Sequence, residues 1–329
     1  MKLLVTGGSG FIGSNFIIYL LEKEKDISIV NLDALTYAGN PANLKSVAND
    51  PRYTFLKGDI TSVIDVEKAM NGVDAVVNFA AESHVDKSIT GPTVFVTTNV
   101  VGTQVLLEAC RKNKIKKYLQ VSTDEVYGSL KNDGTFFTET TSLKANSPYS
   151  ASKAGADLLV RSYYKTFGLP VLITRCSNNY GPLQFPEKLL PLLITNLMEN
   201  KKIPIYGKGD NIRDWLHVKD HCDALWTVLN YGKTGEVYNI GGINEWRNID
   251  IAKRILQLMG KDESSIEYVT DRPGHDLRYA IDATKIRQEL GWKPSYRFEE
   301  GLAETIEWYK ANEAWWRPLK DRNKTWKRL

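Results

Sequence analysis

The chain has 329 residues, 42% hydrophobic and 25% charged, which is ordinary for a globular protein and enough for one large or two coupled domains. Its 43 basic and 39 acidic residues leave a formal charge of only +4, partly concentrated in the tail KDRNKTWKRL, so nucleic acid is not an expected partner. There is neither a signal-peptide pattern nor a run of about 18 apolar residues, so the expected setting is cytoplasmic, with no membrane partner.

In chain order, strands are predicted at 3–6, 27–32, 53–58, 74–80, 117–122 and 170–175, with amphipathic helices at 11–24, 62–71, 93–112 and 148–167 between them. Near-continuous apolar strands alternating with helices predict an α/β fold, a doubly wound (Rossmann) parallel sheet covered on both faces. After residue 181 the alternation loosens. A helix is expected near 186–200, a strand at Pro204, Ile205 and Tyr206, and a turn at Gly207 and Gly209. The run EVYNIGG (236–242) reads as a strand able to rejoin the main sheet, and helices follow near 248–259, 283–290 and 298–314. The expected division is 1–180 and a smaller, partly interleaved α/β unit over 181–329. Cys110, Cys176 and Cys222 lack CxxC or ligand spacing, which predicts reduced, buried fillers and no metal.

The segment TGGSGFIG puts Gly7, Gly10 and Gly13 between the first strand and the first helix. Gly7 permits the tight turn, Gly10 lets backbone approach a pyrophosphate, and Gly13 allows close helix packing, while the helix N-terminus attracts the anion. Asp33 ends the second strand about twenty residues further on, where a carboxylate accepts from ribose hydroxyls and repels a 2'-phosphate. The expected cofactor is therefore NAD. Asp59, ending the third strand beside Ile60, fits either an adenine contact or a helix N-cap.

Within SPYSASK, Ser147 and Pro148 suit a helix start and Gly168 its end. Tyr149 and Lys153 then share a helix face, and the ammonium would favour the phenolate of a tyrosine whose reference pKa is about 10. The run VSTDEVYG sets Asp124 and Glu125 side by side at a strand end. Read alone, such acids commonly begin a helix, opposing its positive pole.

TGGSGFIG, NFAAESHVD, VSTDEVYG, YSASKAGAD and the Asn-Asn-Tyr-Gly-Pro run at 178–182 together resemble the extended short-chain dehydrogenase/reductase superfamily. Within it the likeness is to the dTDP-glucose 4,6-dehydratase family, from residue 1 to about 310, including LDALTYAGN, GDNIRDWLHVKDH and DRPGHDLRYAID. The resemblance implies dehydration of a nucleotide-diphosphate-glucose: oxidation at C4, loss of water across C5 and C6, and hydride return to C6. In that chemistry Tyr149 takes the C4 hydroxyl proton, Glu125 is the C5 base, Asp124 is the acid at C6, and Thr123 bonds the C4 oxygen. Two carboxyl groups in different protonation states suit this division of labour.

By the same resemblance the cofactor set gains Phe11, Ile12, Ala34, Leu35, Thr36, Ala80, Ala81, Thr98 and Asn179, together with Tyr149 and Lys153. Ala34 is a departure, since relatives commonly carry a longer residue beside the ribose-binding aspartate. Substrate contacts are implied for Ser83, Thr123, Asn178, Lys188, Leu189, Pro204, Tyr206, Arg213, Asn248, Arg272 and His275. Read alone, His84 is a hydrogen-bonded core histidine, the two asparagines an Asx turn, and the arginines surface charges. A homodimer is implied, built on helices 93–112 and 148–167, whose Val101, Val105, Leu106, Leu158 and Leu159 lie on more than one face.

Other readings stay open at this stage: a UDP-glucose 4,6-dehydratase, a nucleotide-sugar 4-epimerase or decarboxylase, and a dinucleotide-sensing module without chemistry.

Overall fold

The computed structural model describes residues 1–271 and 273–326, with 322–326 as backbone only. Seven parallel strands form the main sheet: β1 (Lys2–Thr6), β2 (Ser28–Asp33), β3 (Tyr53–Lys57), β4 (Ala75–Asn78), β5 (Lys117–Thr123), β6 (Val171–Cys176) and β10 (Val237–Ile240). Their order is β10-β6-β5-β4-β1-β2-β3. The run EVYNIGG thus returns to the sheet, with Val237 opposite Ile173.

The period of two along each strand decides what lies on each face. Leu3, Val5, Ile29, Val77, Leu119 and Leu172 point to one side, against α1 (Phe11–Lys23) and α8 (Val218–Tyr231). Leu4, Val30, Val76, Tyr118 and Ile173 point to the other, against α2 (Val63–Ala69), α5 (Gly102–Lys112) and α6 (Pro148–Phe167). Covered on both faces, the inner strands need no polar side and read as near-continuous apolar runs, whereas the edge strand β3 is largely open to solvent.

Helix α6 is defined at both ends. Ser147 and Ser150 form a reciprocal capping box, Pro148 takes the first helical position, and Gly168 ends the helix at φ 68°. The expected helix over 93–112 is interrupted: α4 (Pro92–Phe95) runs through a π-helical turn at Val96–Val101 into α5. In that turn the buried Asn99 carboxamide accepts from Glu82 N and donates to Glu82 O and Ser152 Oγ, so the turn is tied to the loop after β4 and to α6. Pro92–Lys112 is also, at 21 residues and mean hydropathy 1.2, long and apolar enough to cross a membrane, which the sequence reading did not find; half of it is buried within the protein.

The second lobe has a three-stranded sheet of β7 (Asn178–Tyr180), β9 (Ile212–His217) and β11 (Glu245–Arg247), and a pair of β8 (Ile203–Tyr206) and β12 (Ile266–Val269). Around them lie α7 (Leu189–Met198), α9 (Asn248–Leu258), α11 (Phe298–Ala311) and α12 (Glu313–Trp326), sharing a core that includes Leu193, Trp215, Ile255, Phe298 and Trp316. Two short helices complete the chain: α3 (Val85–Thr90) beside the cleft and α10 (Thr284–Leu290) beside β10. The sequence reading missed β7, β9, β11, β12, α3, α8 and α12, most of them short elements whose apolar residues meet partners distant in sequence.

Candidate active site

A cleft of about 320 Å³ opens at the carboxyl edge of the main sheet, between the lobes. Its cofactor end is a cradle of bare backbone. A Cβ on Gly7, which has φ 68°, would stand 2.6 Å from Ala80 N, and one on Gly13 would stand 2.5 Å from Gly7 O. The first turn of α1 carries no acidic side chain, leaving its positive pole open to an anion.

Asp33, buried at the end of β2, accepts from Ser9 N (2.9 Å) and Leu35 N (2.8 Å). Burial raises its pKa and the two N–H groups oppose the rise. These features fit a dinucleotide: a glycine-rich turn, a helix terminus and an oriented carboxylate. Phe11, Ile12, Gly10, Ala34, Thr36, Asp59, Ile60, Ala80, Ala81 and Thr98 line the same cleft.

Leu35 does not line it. At φ 54° this residue turns its backbone N–H onto Asp33, so its contribution is the turn. Asp59 is not the cap of α2, a role taken by Ser62; its Oδ1 accepts from Thr61 N and Thr61 Oγ1, both at 2.8 Å.

At the other end of the cleft, β5 stops at Thr123 and the chain turns into one 3-10 turn, Asp124–Tyr127. Thr123 Oγ1 accepts from Glu125 N at 3.2 Å, so the acids do start a helical turn, and both also line the cleft. Asp124 is 1% exposed and its Oδ2 has no hydrogen-bond partner among the described residues. Burial, then Glu125 and Asp214, raise its pKa well above the ordinary carboxylate value, with Arg213 opposing. Burial thus favours the neutral form of Asp124, while Glu125 is less deeply buried.

Tyr149 and Lys153 line the cleft from α6, one helical turn apart as expected. The expected depression of the Tyr149 pKa is not found. Burial, Glu125, Cys176 and Asp124 raise it well above 10.0, and a hydrogen bond with Thr123 opposes them. Lys153 is also buried, and its ammonium donates to Val121 O at 2.7 Å rather than to the phenol. Burial lowers the Lys153 pKa and Asp157 opposes that.

Asn178 and Asn179 belong to β7, paired with β9, and are not an Asx turn. Both line the cleft, and the Asn179 carboxamide lies 2.8 Å from His221 Nδ1 and donates to Ser177 O. Lys188 and Ser83 line it together, with Lys188 Nζ on Ser83 O at 2.9 Å. His84 is a capping residue, its Nδ1 accepting from Lys87 N, and burial pushes its pKa down to about 4.

The sequence reading overlooked the group beside them. Tyr37 donates to Glu187 at 2.8 Å, Lys87 donates to the same carboxylate at 3.1 Å, and the Lys87 ammonium sits 3.4 Å from the Tyr37 ring centre. Tyr37, Glu187, Gln184 and Phe185 all line the cleft. The only local hint was an acid inside FPEKLL, where Glu beside Lys reads as a solvated pair.

The remaining second-lobe candidates are not in the lining. Leu189 opens α7, packing against the second core, and Asn248 opens α9. Pro204 and Tyr206 lie on β8, where Tyr206 donates to Asp86 at 3.2 Å and its ring meets His275 edge-on. His275 lies 2.6 Å from Asp271. Arg213, 5% exposed, donates to Ile212 O, Leu277 O and Asp276 O and lies over the Tyr279 ring at 4.2 Å, so it is no surface charge. Arg272 falls outside the described residues. Among the described residues no cluster of His, Cys, Asp and Glu is suited to a metal ion.

The comparisons with known proteins agree with this geometry. The family profile described as GDP-mannose 4,6 dehydratase matches residues 4–305. The chain is 52% identical to the dTDP-glucose 4,6-dehydratase of Shigella flexneri, over 96% of this chain and 94% of that protein. The dTDP-glucose 4,6-dehydratase of Streptomyces venezuelae, solved with NAD bound, superposes with a TM-score of 0.95 at 51% identity, covering 97% of this chain and all of that one. That of Bacillus anthracis, also in complex with NAD, gives 0.91 at 54% identity, covering 97% and 99%. With the glycine cradle, the tyrosine and lysine of α6 and the paired acids after β5 all opening into one cleft, the chain belongs to the dTDP-glucose 4,6-dehydratase family of the extended short-chain dehydrogenase/reductases.

Proposed function

We propose that this protein removes water from dTDP-glucose, releasing dTDP-4-keto-6-deoxyglucose, with NAD as its resident cofactor. The observation that carries this reading is the turn after β5: two adjacent carboxyl side chains open into the cleft that also holds Tyr149 and the glycine cradle, and burial raises the pKa of one of them.

When bound, NAD supplies the oxidising equivalent that takes hydride from C4 and gives it back at C6. Tyr149 accepts the C4 hydroxyl proton, and Thr123, already bonded to that phenol, orients the oxygen. The phenolate needs a cation to offset burial and the Glu125 carboxylate, and Lys153 is the ammonium on the same helix face. The C4 ketone makes the C5 hydrogen acidic, and Glu125 takes it. Asp124 gives its proton to the C6 hydroxyl, which leaves as water. Glu125 then returns a proton to C5. A 4-epimerase or decarboxylase has no use for an acid at C6, so a second carboxyl group beside Glu125 in the cleft favours elimination over both.

Lys188, Ser83 and Asn178 hold the glucosyl diphosphate within the cleft, and the nucleoside extends toward Pro204, Tyr206, Arg213, Asn248, Arg272 and His275 in the second lobe. The protein acts as a homodimer in the cytoplasm, within deoxysugar biosynthesis such as that of rhamnose. Val94, Val101 and Leu158, each about half exposed along α4, the π turn and α6, support the dimer, and three buried free cysteines suit a reducing compartment.

The test is direct. Purified protein is incubated with dTDP-glucose and UDP-glucose in parallel, and the product is examined by mass spectrometry. A 4-keto product lighter by one water from dTDP-glucose supports the reading; faster turnover of UDP-glucose favours the UDP-specific alternative. Retention of the C6 oxygen in all products, or NAD binding without turnover, overturns dehydration.

A further inference from the structure

We propose that Trp315, on the C-terminal helix α12, is a positioning residue for the dinucleotide loop, holding Ser9 in place through the carboxamide of Asn43; the inference rests on the reading that the cleft takes NAD. The sequence reading gave this helix no chemistry. Its two faces engage different lobes.

One face is anchored in the second lobe. Trp316 is fully buried there with its indole N–H on Tyr309 O at 2.9 Å, and Lys320 donates to Asn196 and Glu199, each at 2.8 Å. The other face meets the first lobe. Leu319 packs with Tyr37 and Phe185, two residues of the cleft wall, and the Trp315 indole N–H donates to Asn43 Oδ1 at 2.9 Å.

An indole nitrogen only donates and a carbonyl only accepts, so Trp315 and Ser9 together fix which way the buried Asn43 amide faces. Its oxygen must meet Trp315, and its NH2 is left to donate to Ser9 O at 3.0 Å, where Asn40 N also donates. Ser9 stands between Gly8 and Gly10, and its own N–H donates to Asp33 Oδ2 at 2.9 Å. The relay therefore runs from the second lobe to the turn expected to cradle pyrophosphate and to the carboxylate expected to hold ribose. With the indole N–H removed, the buried Asn43 oxygen loses its donor and the amide is held at its NH2 end only, which loosens the loop.

Trp315→Phe keeps a ring against Trp308 and removes the N–H. The expected variant keeps the parent far-UV circular dichroism, binds NAD about five- to tenfold more weakly by titration calorimetry, and shows unchanged kcat once NAD is saturating. Asn43→Ala should do the same, and the double variant should be no weaker than Asn43→Ala alone. NAD affinity equal to the parent's in Trp315→Phe overturns the inference, as does a further loss when Trp315→Phe is added to Asn43→Ala. If Trp315→Phe does not fold, Asn43→Ala decides alone: parent-like NAD affinity there overturns the relay. A parent protein that binds no NAD overturns the cofactor reading and the inference together, a result distinct from tight binding by parent and variant alike.

Discussion

The carboxyl edge of the main sheet and the second lobe both offered candidate residues, but they are organised in different ways. Parallel strands all end on one side, so Asp33 at the end of β2, Ala80 after β4, Thr123 at the end of β5 and Asn178 after β6 converge on one cleft from positions far apart in sequence. The second lobe has no such common edge. Its sheets are small, and Tyr206, Arg213 and His275 are held by Asp86, by backbone carbonyls and by Asp271 respectively. The edge builds a reaction centre, whereas the second lobe builds a wall that is braced from behind.

If the difference is real, the largest effects belong to the edge. Asp124→Asn and Glu125→Gln should each lower formation of the 4-keto product by about 10²–10⁴-fold, read as kcat with dTDP-glucose, while the protein still binds the nucleotide. With Asp124 as the proposed acid, parent activity should fall as pH rises through its raised pKa. Stability follows the same sign. The unfolded carboxyl ionises near 3.8 and the folded one does not, so the contribution is full below that value and is lost as pH rises toward the folded pKa. Urea denaturation at pH 4 and pH 8 should show the parent losing ground to Asp124→Asn at the higher pH.

Next is Asp33→Ala, which strips two backbone N–H groups of their acceptor. NAD should bind about 10–100-fold more weakly, with NADP gaining relative to it, as measured by calorimetry. Across the cleft, Tyr206→Phe should raise KM for dTDP-glucose about fivefold and leave kcat unchanged. A large kcat effect there would erase the contrast between the two regions. The smallest change is Ser147→Ala, which breaks the capping box of α6 at a cost of about 1 kcal/mol and should lower Tm by about 2 °C in calorimetry.

What the sequence disclosed follows the same division. The glycine turn, Asp33 and the Tyr149–Lys153 pair were legible because local spacing along a strand, turn or helix already fixes their geometry. Asp124 and Glu125 were visible as neighbours, but the raised pKa of Asp124 comes first from burial and also from Asp214, with Arg213 opposing, and these reach it only through the fold. Tyr37 and Glu187 are 150 residues apart, and no local pattern announces their hydrogen bond. The helix α12 and the π turn stayed hidden for a related reason. Each is defined by contacts made elsewhere, Trp316 in the second core and Asn99 against Glu82.

The return of the chain to the main sheet at β10 means that the two lobes are spliced rather than tethered. A gene cut after residue 180 would leave β6 with a bare outer flank of unpaired amide and carbonyl groups, an invitation to self-association. For the same reason the chain crosses between the lobes more than once, and a motion of one against the other would have to bend it after β6 and after β10 together.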